Sequence, residues 1–599
     1  MIKFGTGGFR AIIGEDFTKD NVQQLARAVA RKMKDEKVEN KTIVVGYDRR
    51  FLSKEATMWI SEVLAYEGIK VLFIHRGVPT PLIMFEVKKL NLEYGMAITA
   101  SHNPALYNGV KLFTKGGKDA DEVVTNDVEK YIAKFEDEEI KSIDFEEAIE
   151  KELIIYDNPF NEYIDCILSQ INVEAIRNAH LRVVLDPMYG VSQTSLRTIL
   201  ATARCELDVI NERHDTLFGG KLPTPNAANL KSLQNYVIDR KYDIGIATDG
   251  DADRLGVIDN NGRFLHPNDI LVLLYYYLLK YKGWTGPVVR NIATTELLDR
   301  VAKSFGQECY EVPVGFKHIS SKMIESNAII GGESSGGLTV KGHIQGKDGV
   351  YAASLLVEMI AVTGKSLSEI YEDICNEYGK LYMSERDYKM PQRKKEELID
   401  LLMVKKKPIK FNYEVEKVSY RDGYKVYFKN GGWVIVRFSG TEPVLRVFAE
   451  MDTLEKAEEV SQDKTAPAPA KKRGRKPGSK NKVKAESPKE PAKKATRVTK
   501  TTKAVKKEAE VKEAAVKEEA VKAPAKRVGR KPKVEAEISV QFAGKSYSRE
   551  DLIKIAKDVW KYDLKKEERD LKEIKLYVKP EESLVYYVFN GEEEGSFII

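Results

Sequence analysis

Three times in its first 390 residues the chain runs through the same alternation of short apolar strand and amphipathic helix. Residues 21–33 have helical spacing, with Val22, Leu25, Val29 and Met33 on one side, and residues 41–45 form a strand closing on Gly46. A helix at 55–67, a strand at 70–74 and a strand at 95–99 follow, the last delivering Ser101. The cycle restarts with LRVVL at 181–185, a helix at 193–203 and strands at 207–209 and 244–247. It starts again near 287–288, with a helix at 295–305 and a loop at 313–317. Such alternation predicts three-layer α/β domains whose ligand sites lie beyond the carboxyl ends of the strands. Residues 411–419, 423–428 and 433–438 instead read as short strands, with a helix from 454, which predicts a smaller α+β unit.

With 599 residues several domains are expected. The pattern divides them at 1–160, 161–282, 283–390 and 391–464, followed by a linker over 465–535 and a small module over 536–599. The linker is set apart by composition. It carries 24 Lys/Arg against 8 Asp/Glu and no aromatic residue, so the net +6 of the chain hides a mildly acidic remainder. A segment so poor in apolar residues cannot offset its ordering entropy and is expected to be disordered, with a transient helix over the Lys/Glu/Ala/Val stretch 505–521. Beyond it, a strand at 538–542, a helix at 548–562 and strands at 573–578 and 583–590 predict a β-α-β-β module.

Four cysteines lie far apart, without ligand-like or disulfide-like pairing, which fits a reducing compartment. The start MIKFGTGGFR lacks a signal-peptide apolar region, and the apolar run 271–279 ends at Lys280, short of the ~20 residues of a membrane span. The expectation is a cytoplasmic protein with no membrane contact.

The chemistry concentrates in two segments, TASHNP at 99–104 and TDGDADR at 248–254. On an extended segment Asp249, Asp251 and Asp253 would point the same way and converge on one cation. Hard oxygen ligands with no histidine or cysteine beside them indicate Mg²⁺ rather than zinc. A serine beside a tight turn together with three carboxylates is a phosphoryl-transfer constellation. Arg10, at the end of GTGGFR, and Arg254 add positive charge, and His102 is a candidate for proton transfer, because an imidazole ordinarily titrates near neutrality.

GTGGFR at 5–10, TASHNP, TDGDADR, GESSG at 332–336 and RFSGTEP at 437–443, in this order, resemble the alpha-D-phosphohexomutase superfamily over roughly residues 1–463. The resemblance implies three related α/β domains and a smaller α+β fourth around a central cleft. It implies that Ser101 carries a phosphoryl group, that Lys111 in NGVKLF belongs to the active site, and that Ser101, Asp249, Asp251 and Asp253 hold the metal. Glu333 and Ser335, with Gly315 and Lys317 in VGFKHIS, match the sugar-recognition loops. Arg437, Ser439, Gly440, Thr441 and Arg446 match the phosphate-binding group, whose guanidinium fork, hydroxyls and backbone N–H groups suit a dianion. The implied reaction moves a phosphoryl group within a hexose phosphate through a hexose 1,6-bisphosphate, glucose 1-phosphate to glucose 6-phosphate first. Phosphomannomutase or dual specificity, phosphopentomutase and phosphoglucosamine mutase remain alternatives. Gly337 departs from the histidine that ends GEMSGH in dual-specificity members. His102 and Lys111 are both candidates for proton transfer, and a monomer or weak homodimer is expected.

The basic linker allows a reading of another class. KKRGRKPGSK at 471–480 resembles an AT-hook, with Lys476 inserted before Pro477, and AKRVGRKPK at 525–533 departs further at Val528. Arg473, Gly474, Arg475, Lys476, Arg530 and Lys531 are the candidate contacts to an A·T-rich minor groove. A tether without nucleic-acid binding is the competing expectation.

Overall fold

A computed structural model describes residues 2–5, 8–438, 444–462, 539–542, 545–564, 566–579, 584–591 and 593–598. The chain divides into two units, Met1–Gly474 and Arg475–Ile599. The linker 465–535 and its candidate DNA contacts lie outside the described residues.

The first unit contains one strand arrangement three times. In the first sheet Lys70–Gly77, Thr42–Tyr47, Tyr94–Ile98 and Tyr107–Thr114 lie side by side, the last antiparallel. In the second the same places are taken by Glu206–Val209, Arg182–Asp186, Ile244–Thr248 and Leu255–Asp259. In the third they are taken by Cys309–Val312, Val288–Asn291, Ile330–Gly332 and Leu338–Val340. In each sheet the connection from the last parallel strand to its antiparallel neighbour carries one candidate loop: Ser101, the three aspartates, or Glu333. Repetition of one topology therefore presents three different chemistries at equivalent points.

Helices cover these sheets for the reasons their sequences give. Lys19–Asp35 is capped by the Thr18 hydroxyl, which accepts from the Asn21 N–H, and buries Val22, Leu25, Val29 and Met33. Pro267–Lys280 and Gly349–Thr363 are apolar nearly all round, as buried helices are, and share the largest core cluster. The run 271–279 is thus a core helix, and among the described residues no single helix is long and apolar enough to cross a membrane.

The fourth sheet is antiparallel throughout, in the order Tyr382–Lys389, Val444–Met451, Trp433–Phe438, Tyr424–Phe428, Val415–Ser419. Tyr382–Lys389 falls within the range read from sequence as the third unit, yet it pairs along its whole length with Val444–Met451. Residues 411–414 are not strand; Phe411 packs on the core of this sheet instead. The stretch expected as a loop at 313–317 ends in the first turn of the helix Phe316–Ser326, with Gly315 as its N-cap.

In the second unit Ser548 opens the helix Arg549–Asp558 through a capping box with Asp551. Hairpin Ser539–Phe542 with Lys545–Ser548 precedes it, and the sheet Ile574–Lys579, Leu584–Phe589, Glu593–Ile598 follows. Trp560 packs edge-on to Phe589 at 5.4 Å in its core. Two strands here, Lys545–Ser548 and Glu593–Ile598, are additional to the β-α-β-β reading, because their polar residues hide the alternation.

Candidate active site

Ser101 follows the buried strand Tyr94–Ile98 and is itself buried, with φ 52°. A left-handed conformation at a residue with a Cβ costs about 1–2 kcal/mol, so neighbouring groups must hold it. The Ser101 N–H donates to Thr99 Oγ1 at 2.8 Å. Arg50 Nη2 donates to the carbonyls of Ser101 and Asn103, both at 2.7 Å, and Nη1 to those of Pro104 and Tyr107 at 2.8 and 3.0 Å. Asp48 in turn pairs with Arg50 Nε at 3.3 Å and accepts from Thr99 Oγ1 at 2.6 Å. One guanidinium thus fixes four carbonyls of the serine loop.

The strand Ile244–Thr248 brings the acidic loop to the same place. Asp249, Asp251 and Asp253 are buried, and their ligand oxygens lie within 4.8 Å of one another. They do not converge by alternation on an extended segment; the strand has ended, and a turn with Ala252 at φ 60° curls the three carboxylates inward. Ser101 Oγ donates to Asp249 Oδ2 at 2.8 Å, and the Arg254 N–H to Asp249 Oδ1 at 3.1 Å. Asp251 Oδ2 accepts from Thr80 Oγ1 at 2.7 Å. Lys111 Nζ bridges Asp251 Oδ2 and Asp253 Oδ2 at 2.5 and 2.6 Å, and Lys347 Nζ reaches Asp253 Oδ2 at 2.9 Å.

Asp251 Oδ1 and Asp253 Oδ1 are buried and accept no hydrogen bond. Three converging carboxylates with two such oxygens and no nitrogen or sulfur donor fit a hard divalent cation. Electrostatics agree with that fit. Burial, then the charges of Asp251 and Asp253, push Asp249 up to about 8, a strain that a cation would relieve. Burial also acts against Asp253, but Lys111, Lys347 and Arg254 outweigh it and hold that carboxyl well below the usual range.

Lys111 and His102 differ in charge. Burial would lower Lys111, yet Asp251 and Asp253 overcome it, so this amine is an ammonium. For His102, burial and then Arg254 and Arg10 push the imidazole far below its ordinary value, so it is neutral. Its Nδ1 lies 2.7 Å from Arg254 Nη1, a group that only donates, which leaves the ring proton on Nε2. Arg10, on the strand Phe9–Ile12, donates from Nη1 to Asn103 Oδ1 at 2.7 Å and so joins the serine loop.

Glu333 is buried with Oε1 accepting the Gly315 N–H at 2.9 Å and Oε2 accepting the Ser335 hydroxyl at 3.3 Å. Gly337 bridges to Arg254, which ties this loop to the acidic one. Lys317 is turned aside: its Nζ pairs with Glu122 of the first domain at 2.6 Å. In the fourth sheet Arg437 and Arg446 stand directly opposite each other across two paired strands. Like charges so placed are unfavourable alone and suit a dianion between them. Arg437 Nη2 donates to Asp422 Oδ1 at 3.1 Å, and Asp422 Oδ2 accepts the Val314 N–H beside Gly315 at 2.7 Å, so the fourth sheet is joined to the sugar-loop candidates. Ser439, Gly440 and Thr441 lie outside the described residues.

Sequence reading missed Asp48, Arg50, Thr80 and Lys347. Asp48 and Arg50 directly follow the buried parallel strand Thr42–Tyr47, a position where ligand sites form and where the signal was readable. Lys347 sits in GKDG, just before the apolar helix Gly349–Thr363. A Cβ at Gly337 would stand 2.3 Å from Lys347 Cδ, so the bare glycine leaves the channel through which this lysine reaches Asp253.

Family models described as phosphoglucomutase/phosphomannomutase match four successive stretches of the chain. Alpha/beta/alpha domain I matches residues 1–139, domain II 161–262, domain III 266–378 and the C-terminal domain 390–465. A family of unknown function matches 449–599. A phosphoglucomutase/phosphomannomutase of Thermococcus kodakarensis is 32% identical over 465 residues, which cover 76% of this chain and 96% of that relative. A phosphoglucosamine/phosphogalactosamine mutase of Sulfurisphaera tokodaii is 30% identical, covering 75% and 94%. Among solved structures, a candidate phosphomannomutase of Thermus thermophilus superposes with a TM-score of 0.67 at 29% identity, over 76% of this chain and 97% of that one.

Proposed function

The chain belongs to the phosphoglucomutase/phosphomannomutase family, and from that premise we propose that it interconverts glucose 1-phosphate and glucose 6-phosphate through a phosphoserine at Ser101. The observation that carries this reading is the buried Ser101 hydroxyl, 2.8 Å from Asp249 and within one cluster of three aspartates, two lysines and Arg254. Asp249, Asp251, Asp253 and the Ser101 phosphate would hold Mg²⁺, which supplies neutralisation of charge on the transferring phosphoryl group. Arg50 and Asp48 fix the serine loop, and Lys111 brings a permanent positive charge to its edge. His102, neutral with its proton on Nε2, stands beside the serine as a hydrogen-bond donor; with Nδ1 accepting from Arg254 it has no lone pair for the sugar hydroxyl proton released as the phosphoryl group leaves Ser101 for the sugar oxygen. Glu333 and Ser335 would recognise ring hydroxyls in both orientations of a 1,6-bisphosphate, and Arg437 and Arg446 the phosphate not being transferred.

A second substrate reading is favoured by the relative named for amino-sugar phosphates: the buried Glu333 carboxylate is a natural partner for an ammonium group. Ser101→Ala, assayed with added glucose 1,6-bisphosphate, is expected to lower turnover by ~10³ or more, as removal of a nucleophile does. Undiminished turnover would sink the phosphoserine assignment. A coupled assay against glucose, mannose, glucosamine and ribose 1-phosphates decides the sugar.

A further inference from the structure

Cys166 lies on the helix Phe160–Gln170, partly exposed, and takes no part in phosphoryl transfer. Its Sγ is 3.7 Å from His343 Nδ1, and His343 Nε2 is 2.7 Å from Asp348 Oδ2. That same oxygen accepts the Tyr163 hydroxyl at 2.8 Å. Asp348 Oδ1 accepts the N–H groups of Val350 and Tyr351 at 2.8 and 2.9 Å and caps the helix Gly349–Thr363. A carboxylate accepting this many donors makes His343 keep its proton on Nε2 and turn the Nδ1 lone pair to the thiol. The remaining neighbours are the Phe85, Tyr163 and Tyr351 rings around the imidazole, Gln170 Nε2 at 3.3 Å from Cys166 Sγ, and Lys88, which donates to the His343 carbonyl. Thiol, imidazole and carboxylate stand in line, the order that activates a sulfur nucleophile.

We propose that Cys166 is a site of thiol–disulfide exchange with low-molecular-weight disulfides, with His343 as its base and Asp348 holding His343 in place, and that the mixed disulfide slows the mutase. The thiol proton passes to His343 Nδ1. The thiolate attacks one sulfur of the disulfide, the S–S bond breaks, and the departing thiolate takes the proton back as a free thiol. Among the four cysteines the contrast is internal. Once the proton has moved, the His343 imidazolium hydrogen-bonds the thiolate and lowers Cys166 against the effect of burial, whereas burial raises Cys205 to about 11 and also raises Cys309 and Cys375. The effect on turnover follows from the chain segment. Lys347, beside Asp348, is bound to Asp253, and the Gly349 N–H donates to the Ala252 carbonyl at 3.1 Å. A group on Cys166 that displaces His343 therefore pulls on the segment that braces the acidic loop.

The full-length protein, incubated with oxidised glutathione at neutral pH, is mapped by peptide mass and assayed in parallel. Cys166 is expected to be modified about tenfold faster than the other three cysteines, with turnover falling and returning on addition of dithiothreitol. Cys166→Ser should keep its turnover and lose its sensitivity. His343→Gln should abolish the rate advantage. Because that buried variant can fail to fold, the pH profile of iodoacetamide alkylation in the unaltered protein provides the independent reading, with Cys166 reacting at lower pH than an ordinary thiol. Equal rates at all four cysteines, or an ordinary thiol profile at Cys166, overturn the exchange site. Modification with full turnover overturns the link to catalysis. The mapping arm stands apart from the mutase reading, so the two fail separately.

Discussion

Gly337 shows how a single missing Cβ shapes the site. The residue tethers the sugar loop to Arg254 and leaves the space through which Lys347 crosses to Asp253. Lysine is a flexible chain, so an added methyl group should displace it rather than break the fold. Gly337→Ala is therefore expected to cost little stability, about 1 kcal/mol, but to lower turnover roughly tenfold by taking one ammonium from the acidic loop. Lys347→Met should have the same effect, and the double variant should be no worse than Lys347→Met alone, because both changes remove one contact. Additive losses in this cycle would show that Gly337 acts by another route.

At the scale of elements, the contact between the third and fourth sheets buries carboxyl groups beside the apolar cluster of Ile292, Ala293, Trp433 and Ile435. Glu450, buried on the strand Val444–Met451, accepts the Glu296 N–H at 2.8 Å and the Trp433 indole N–H at 3.2 Å. Glu296 is the N-cap residue of the helix Leu297–Ser304 and is pushed up to about 7, by burial first and by Glu450 among the nearby charges, against Arg290. Burial raises Glu450 as well. A carboxyl group raised in the folded state binds more protons there than in the unfolded chain between its ordinary and its raised value. Stability then falls as pH rises through that window. Thermal unfolding followed by tryptophan fluorescence should show the loss between about pH 5 and pH 7, on the order of 1 kcal/mol. Glu450→Gln keeps a carbonyl acceptor for both N–H groups while removing the charge, so its profile should be flatter. An unchanged slope would exclude the pair as the source.

For the whole molecule, three copies of one strand order bring the serine, the aspartates and Glu333 to the same topological point of three sheets. The fourth sheet closes the enzyme only with its last helix. Leu454–Ser461 buries Ala457 and Val460, and Ser461 receives hydrogen bonds from Arg386 and, through its carbonyl, from the Tyr388 hydroxyl. The match to the family of unknown function begins at residue 449, ahead of that helix. Truncation after 465 should accordingly preserve mutase activity, whereas truncation after 452 should destroy it by exposing the fourth core. If the lysine-rich linker binds DNA, retention should disappear in the 1–465 fragment and, in the full chain, weaken steeply between about 50 and 200 mM salt through counterion release. Equal DNA affinity of the two proteins would remove nucleic-acid binding from the tail.

The sequence alone determined what is local. Periodicity marks three parallel strands in each of the first two α/β sheets but leaves Cys309–Val312, Ile330–Gly332 and Leu338–Val340 of the third unread, and the residue types in TASHNP and TDGDADR offer candidate oxygen ligands and a candidate nucleophile. Tyr382–Lys389 was beyond it, because a strand carries its own pleat in its sequence but not the identity of its neighbour. The convergence of the aspartates depended on a turn at Ala252, and the loop at Ser101 on a guanidinium from Arg50 in an earlier strand connection. Lys347 meets Asp253, Lys317 meets Glu122, and Cys166 meets His343 only once separate domains have packed. Such contacts bring together groups from distant parts of the chain, whereas a sequence pattern reports only the face each residue shows within its own element. The tertiary structure therefore decided which charges meet, and with them the electrostatics of the site.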